Sequence, residues 1–135
     1  MGVVIDTSVL VELERQGRDT IPSFGQDETG FLSGIVLSEL LVGVLMARTD
    51  RARAYRERFL EVVTRELPML PFAAREAREH ARLQVGLRRA GTPIGERDLI
   101  IAATALANGH SVMTYNVREF AQVRGLEVLP GPSAG

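Results

Sequence analysis

Two rhythms of apolar residues alternate along the chain. Val3 to Ile5 is a short unbroken apolar run that ends at Asp6, the pattern of a buried parallel strand. FLSG at 31–34, SVMTYN at 111–116 and LEVLP at 126–130 predict further strands, and ELPMLP at 66–71 a short strand or extended link. Between them the period lengthens to that of helices. One helix is predicted from a cap at Thr7 or Ser8 to about Arg15. A second spans Val36 to Met46, with Leu37, Leu40, Leu41, Val44 and Leu45 on one face. A third starts from a cap at Asp50 and repeats Ala52, Tyr55, Phe59 and Val62. A fourth runs from Phe72 to Ala90, with Arg75 and Glu79 placed to pair. Asp98 opens LIIAATALANG, apolar on nearly every side and therefore a buried helix, with Gly109 as its stop. VREFAQV at 117–123 predicts a short last helix. Residues 16–30 read as a polar loop with room for one helical turn, and GTPIGE at 91–96 as a break.

Strands alternating with helices define an α/β fold, a mainly parallel central sheet flanked by helices. With 135 residues there is one core, expected over 1–130, followed by a flexible tail at 131–135. Composition narrows the function. No apolar run approaches the roughly 20 residues needed to span a bilayer. MGVVIDTSVL lacks the basic flank and cleavage site of a signal peptide, and the strand after Met1-Gly2 is needed inside the fold, against myristoylation. There is no Cys, which excludes disulfides, thiolate nucleophiles and Cys-ligated zinc, and makes the cytoplasm the expected location. All 16 basic residues are Arg. The absence of Lys excludes P-loop, Schiff-base and receiver-domain chemistry. Net charge is −1, where nucleic-acid binders are usually basic, but Arg51, Arg53, Arg56 and Arg58 form one concentration and Arg88 and Arg89 another. A solvated helix face accounts equally for such runs.

In open α/β sheets, ligands bind beyond the carboxyl ends of the strands. Asp6 ends the first strand, Glu39 lies near the start of the second helix, and Asp98 opens the buried one. Thr114, Tyr115 and Asn116 end the next strand, with Glu119 one turn on. Singly, Asp6 and Asp98 are explained as helix caps, and Glu119 as an exposed helix residue. Glu39 interrupts the apolar stripe VLSELLVGV and is expected to be buried. Together the acids need another account. Two carboxylates about 4 Å apart repel by about 4 kcal/mol at an effective dielectric near 20, so a convergent set needs a cation. Hard Mg²⁺ or Mn²⁺ meets that need, and a metal-activated water is then the plausible nucleophile. His80 and His110 look peripheral: one is mid-helix and the other in a turn.

These residues resemble a known family. VVIDTSVLV resembles the opening of PIN domains, SELLVGV their second acid, GERDLIIAATALANG their third motif and TYNVREF their fourth region. The resemblance runs from Val3 to about Pro130, in order, and length and the NVREF ending are most similar to the VapC group. It implies a Mg²⁺- or Mn²⁺-dependent endoribonuclease, the toxin of a toxin–antitoxin pair, acting as a homodimer on RNA and inhibited by a VapB-type antitoxin. By position, Asp6, Glu39 and Asp98 would be metal ligands, with Glu119 and Asn116 completing the site. Ser8, Ser38 and Thr114 would be supporting hydroxyls, and Arg97 and Arg118 candidate contacts to RNA phosphates. Asn116 stands where many PIN domains have Asp, and Glu119 where VapC proteins often have Asp, which places doubt on a second metal rather than the first. A PIN-fold binding module without catalysis, or a housekeeping RNA-processing nuclease, are the alternatives. DTS also resembles the start of HAD phosphatases, but Ser8 stands where their second Asp is needed and the Lys is missing.

Overall fold

The computed structural model describes residues 2–22 and 28–133. Five strands form the sheet: β1 (Gly2–Ile5), β2 (Thr29–Ser33), β3 (Met69–Leu70), β4 (Ser111–Thr114) and β5 (Val128–Pro130). Their order is β3-β2-β1-β4-β5, and every pairing is parallel. Six helices connect and flank them: α1 (Thr7–Arg15), α2 (Gly34–Leu45), α3 (Asp50–Glu66), α4 (Ala74–Ala90), α5 (Glu96–Ala107) and α6 (Val117–Phe120). The expected architecture is present. From β1 the chain winds outward to β2 and β3, then returns across β1 to add β4 and β5 on the other side. Strand order therefore reverses between β1 and β4, and a crevice opens at their carboxyl ends.

Central strands buried on both faces carry uninterrupted apolar residues. Val3, Val4, Ile5 and Val112 are fully buried, with Val9 and Leu10 of α1, Val36 of α2, Val63 of α3, Ile101 of α5 and Phe120 of α6 against them. In α5, Ala102, Ala103 and Ala105 are buried, and such small side chains let a helix lie close to its neighbours.

Several local expectations are corrected. Of the caps the sequence offers for α1, the structure uses Asp6, whose carboxylate accepts from the Thr7 N–H, rather than Thr7 or Ser8. Thr49 rather than Asp50 caps α3, its hydroxyl accepting from the Ala52 N–H at 3.0 Å. Helix α5 starts two residues before Asp98, with Gly95 at its cap, so the acid sits inside the first turn. Along α2 the buried line is Val36, Leu40 and Val44, while Leu41 and Leu45 are 42% and 68% exposed. Four-residue steps keep one narrow ridge on the core, and the expected five-residue face is wider than that contact. Tyr55 on α3 is likewise exposed and donates its hydroxyl to the Glu14 carbonyl. Arg75 contacts Glu76 and Asn108 rather than Glu79, which pairs with Arg82.

Residues 16–22 form a turn at 16–17 and a bend at 19–20 with no separate helical turn, and 23–27 of the expected loop lie outside the described residues. The tail is partly held, since Gly131 donates its N–H to the Thr114 carbonyl and Tyr115 its hydroxyl to the Pro132 carbonyl. Among the described residues no helix is long and apolar enough to cross a membrane.

One buried acid is structural. Glu76, 2% exposed, accepts from the Ala73 N–H and from the Asn108 side chain, both at 3.0 Å, tying the start of α4 to the end of α5. Burial pushes its pKa up, but hydrogen bonds from Ala73, its own backbone and Asn108, with the Arg75 charge, outweigh that and hold it below the ordinary 4.5. The folded chain thus keeps Glu76 ionised to lower pH than the unfolded chain does. Its contribution is present above about pH 4.5 and lost as pH falls through the lower folded value. Glu76→Ala is expected to lower stability at pH 7 by about 1–3 kcal/mol, with a smaller difference from the parent protein below pH 4. Urea unfolding at the two pH values measures both.

Candidate active site

The crevice at the β1–β4 reversal gathers the acids. Asp6 follows the last residue of β1 and is 1% exposed. Its Oδ1 accepts from the Thr7 N–H at 2.8 Å, and its Oδ2 from the hydroxyls of Ser8 at 2.9 Å and Thr114 at 2.7 Å. Those hydroxyls are themselves held: Ser8 accepts from the Tyr115 N–H, and Thr114 from the Asn116 N–H. Helix α2 brings in Glu39, whose Oε1 accepts from the Thr7 hydroxyl at 2.6 Å. Asp98, in the first turn of α5, is 6% exposed, and its Oδ2 accepts from Asn116 Nδ2 at 3.2 Å. On α6, Glu119 accepts from the Gly95 N–H at 2.7 Å and from the same Asn116 amide at 2.8 Å.

At the centre stands Arg97. Its Nη2 donates to Asp6 Oδ1 and its Nε to Glu39 Oε2, both at 2.6 Å, and its Nη1 donates to Asp98 Oδ1. Three guanidinium nitrogens therefore meet three different carboxylates, the forked geometry that Arg alone offers. Burial lowers the Arg97 pKa, but the hydrogen bonds and charges of Glu39 and Asp6 overcome this and hold the guanidinium firmly protonated.

The acids do not share one electrostatic environment. Burial is the largest influence on Asp98; the charges of Glu119 and Asp6 add to it, the Arg97 charge opposes it, and its pKa is raised from 3.8 to about 6. Glu119 moves the other way, lowered chiefly by the Gly95 N–H and then by Asn116. The two carboxyls are thus pushed in opposite directions, Asp98 toward protonation and Glu119 toward ionisation.

Of the residues singled out in the sequence, Asp6, Glu39, Asp98, Glu119, Asn116, Ser8, Thr114 and Arg97 converge here. Three expectations change. Glu39 is not buried; its side chain is 32% exposed, because α2 turns this position toward the crevice mouth. Ser38 is exposed, and Thr7 supports Glu39 in its place. Thr7 was legible as the first hydroxyl after Asp6, but only the fold shows that it reaches across to α2. Arg97, expected at a phosphate, lies on the acids instead, whereas Arg118 is exposed on α6.

The donor set suits a hard divalent cation: carboxylate oxygens oriented by hydroxyls and an amide, with no sulfur or imidazole. Among the described residues, no three acids already stand close enough to share an ion. The guanidinium accounts for that spacing, since it is a cation lodged among them.

With that geometry in view, the comparisons with known proteins agree. The PIN domain family matches residues 3–126. The chain is 38% identical over 129 residues to Ribonuclease VapC1 of Rickettsia felis, covering 96% of each chain. The fold matches VapBC2 of Rickettsia felis, solved bound to a DNA fragment from its promoter, with a TM-score of 0.84 and 24% identity over 98% of this chain and 100% of that one. It also matches VapBC-5 of Mycobacterium tuberculosis, from the VapBC family of toxin–antitoxin systems, with a TM-score of 0.75 and 33% identity over 98% of both chains. The chain belongs to the PIN-domain family, and within it to the VapC proteins.

Asp98 offers a test of the site's electrostatics. Its folded pKa lies above the unfolded 3.8, so the folded chain binds the proton more tightly. Stability from this group is full below about pH 3.8 and is lost as pH rises to about 6. Asp98→Asn is expected to flatten that interval and to raise the melting temperature of metal-free protein at pH 7. Thermal melts in EDTA from pH 4 to 8 read both; a lower melting temperature for the variant at pH 7 contradicts the assignment.

Proposed function

We propose that the chain is a metal-dependent endoribonuclease, the toxin of a VapBC pair, hydrolysing RNA phosphodiester bonds at the Asp6–Glu39–Asp98–Glu119 crevice. The convergence of those acids at the β1–β4 reversal carries the reading. Relatives named ribonuclease VapC support the chemistry, and neighbours solved as VapBC complexes support a VapB-type antitoxin as partner. A homodimer, implied by the resemblance, belongs to the same reading.

Asp6, Glu39 and Asp98 would hold a Mg²⁺ or Mn²⁺ ion, with Glu119 supplying a fourth acidic group beside Asp98. When bound, the ion neutralises phosphate charge and lowers the pKa of water near the scissile bond. The chain's own residues do the positioning. Ser8 and Thr114 fix Asp6, Thr7 fixes Glu39, and one Asn116 amide orients both Asp98 and Glu119. Asn116 thus acts as an orienting donor where a fifth carboxylate would add repulsion.

An overall charge of −1 is no obstacle to RNA, because the cations are grouped. Arg82, paired with Glu79, lines a cleft of about 530 Å³ with Arg89, Arg124, Thr92 and Gln122. Gln122 follows Glu119 by less than one helical turn, and Thr92 lies in the loop leading to Gly95. In this reading, an RNA strand at the acids would also contact this cationic cleft.

Protein freed of antitoxin and incubated with total cellular RNA is expected to give discrete cleavage in Mn²⁺ and none in EDTA. Asp6→Asn is expected to lower the rate by at least about 100-fold. A folded protein that cleaves nothing in any metal would return the weight to a binding module. Arg89→Ala with Arg124→Ala is expected to raise KM for a long RNA several-fold with little change in kcat, read in steady-state assays.

A further inference from the structure

The acid crevice contains its own cation. Each of its three principal carboxylates uses its two oxygens differently. Neutral side-chain donors hold one side: Ser8 and Thr114 on Asp6 Oδ2, Thr7 on Glu39 Oε1, Asn116 on Asp98 Oδ2, while the Thr7 N–H reaches Asp6 Oδ1. The other oxygen of each, Asp6 Oδ1, Glu39 Oε2 and Asp98 Oδ1, accepts from Arg97. These three oxygens face one guanidinium from three different elements. The side chain that occupies them comes from within the chain and is adjacent in sequence to one of the acids it neutralises.

We propose that Arg97 is an exchangeable internal counter-ion, a latch that closes the acid crevice in metal-free protein and is displaced when a divalent cation binds. The inference rests on the metal-dependent reading above. Two observations support exchange rather than joint occupancy. All three guanidinium nitrogens are committed to those oxygens, and a dication placed on the same oxygens would repel the guanidinium at contact distance. The Arg97 side chain is also 35% exposed, so a route outward exists without unpacking the core. One positive charge among four acids leaves the crevice net negative, which is what lets a dication compete. The groups facing Arg97 are Asp6 from the end of β1, Glu39 from α2 and Asp98 from its own helix, with Glu119 on α6 beside Asp98.

Latching makes apparent metal affinity the intrinsic affinity reduced by the fraction of molecules with Arg97 withdrawn. Removing the guanidinium should therefore tighten metal binding, whereas removing a residue that helps to bind metal would weaken it. Titration of Mn²⁺ into purified, partner-free protein by calorimetry is expected to show Arg97→Gln binding on the order of tenfold more tightly than the parent protein. Its metal-free form should melt at lower temperature, with the deficit recovered on adding Mn²⁺. A second measurement needs no variant. In the parent protein, the Arg97 Nε–H resonance should be slow to exchange with solvent in EDTA and lose that protection as Mg²⁺ is added. Equal or weaker Mn²⁺ binding by Arg97→Gln, or an Arg97 signal indifferent to Mg²⁺ that binds, overturns the latch and leaves the metal site standing. Absence of binding by both proteins overturns the metal-dependent reading and the latch together.

Discussion

Like charges brought together at the end of a sheet must be held by something, and among the described residues a single guanidinium does the holding. Asp6 and Asp98 are almost completely buried, and Glu39 and Glu119 stand beside them. A carboxylate removed from water costs several kcal/mol unless it is paired. The hydroxyls of Thr7, Ser8 and Thr114, the amide of Asn116 and the N–H groups of Thr7 and Gly95 recover part of that cost. Among the described residues, only Arg97 supplies opposite charge at the centre. The rest of the architecture serves the convergence: β1 and β4 present Asp6 and Thr114 side by side, and α5 presents Arg97 and Asp98 together from its first turn.

The parallel sheet makes such a site possible. Every strand delivers its carboxyl end to the same edge, and the reversal of winding between β1 and β4 opens a gap there that no crossover helix fills. The buried face of α5, rich in alanine, lets that helix sit close enough for its first turn to reach Asp6. Glu119 is also part of the framework. By accepting from Gly95 it fastens α6 to the start of α5, so the acid beside Asp98 helps to position the helix that carries Asp98.

Much of this was legible in the sequence because the physics that produced it is local. A short apolar run closed by an acid can hardly be anything but a buried strand meeting a helix, and VVID behaved so. The all-round apolar character of LIIAATA likewise announced a buried helix. Cap positions slipped by one to three residues at Asp6, Thr49 and Gly95, since several neighbouring side chains could each satisfy the same N–H groups. Leu41 and Leu45 were misplaced because helical periodicity marks a face without saying how much of it the core will cover. The roles of Thr7 and Arg97 were not legible. Thr7 acts across 32 residues of sequence and Arg97 across 91 to Asp6, and no pattern along a chain encodes which distant acid a side chain will find.

The pairing of the first strand with the fourth has a consequence in time. Asp6 precedes its hydroxyl partner Thr114, and the Asn116 amide that orients Asp98, by more than a hundred residues of chain. Contacts so far apart in sequence form only when the intervening chain has been made and folded over them. The acid cluster is complete only once β4 has paired with β1, so a chain that stops short of β4 carries Asp6, Glu39 and Asp98 without the cluster.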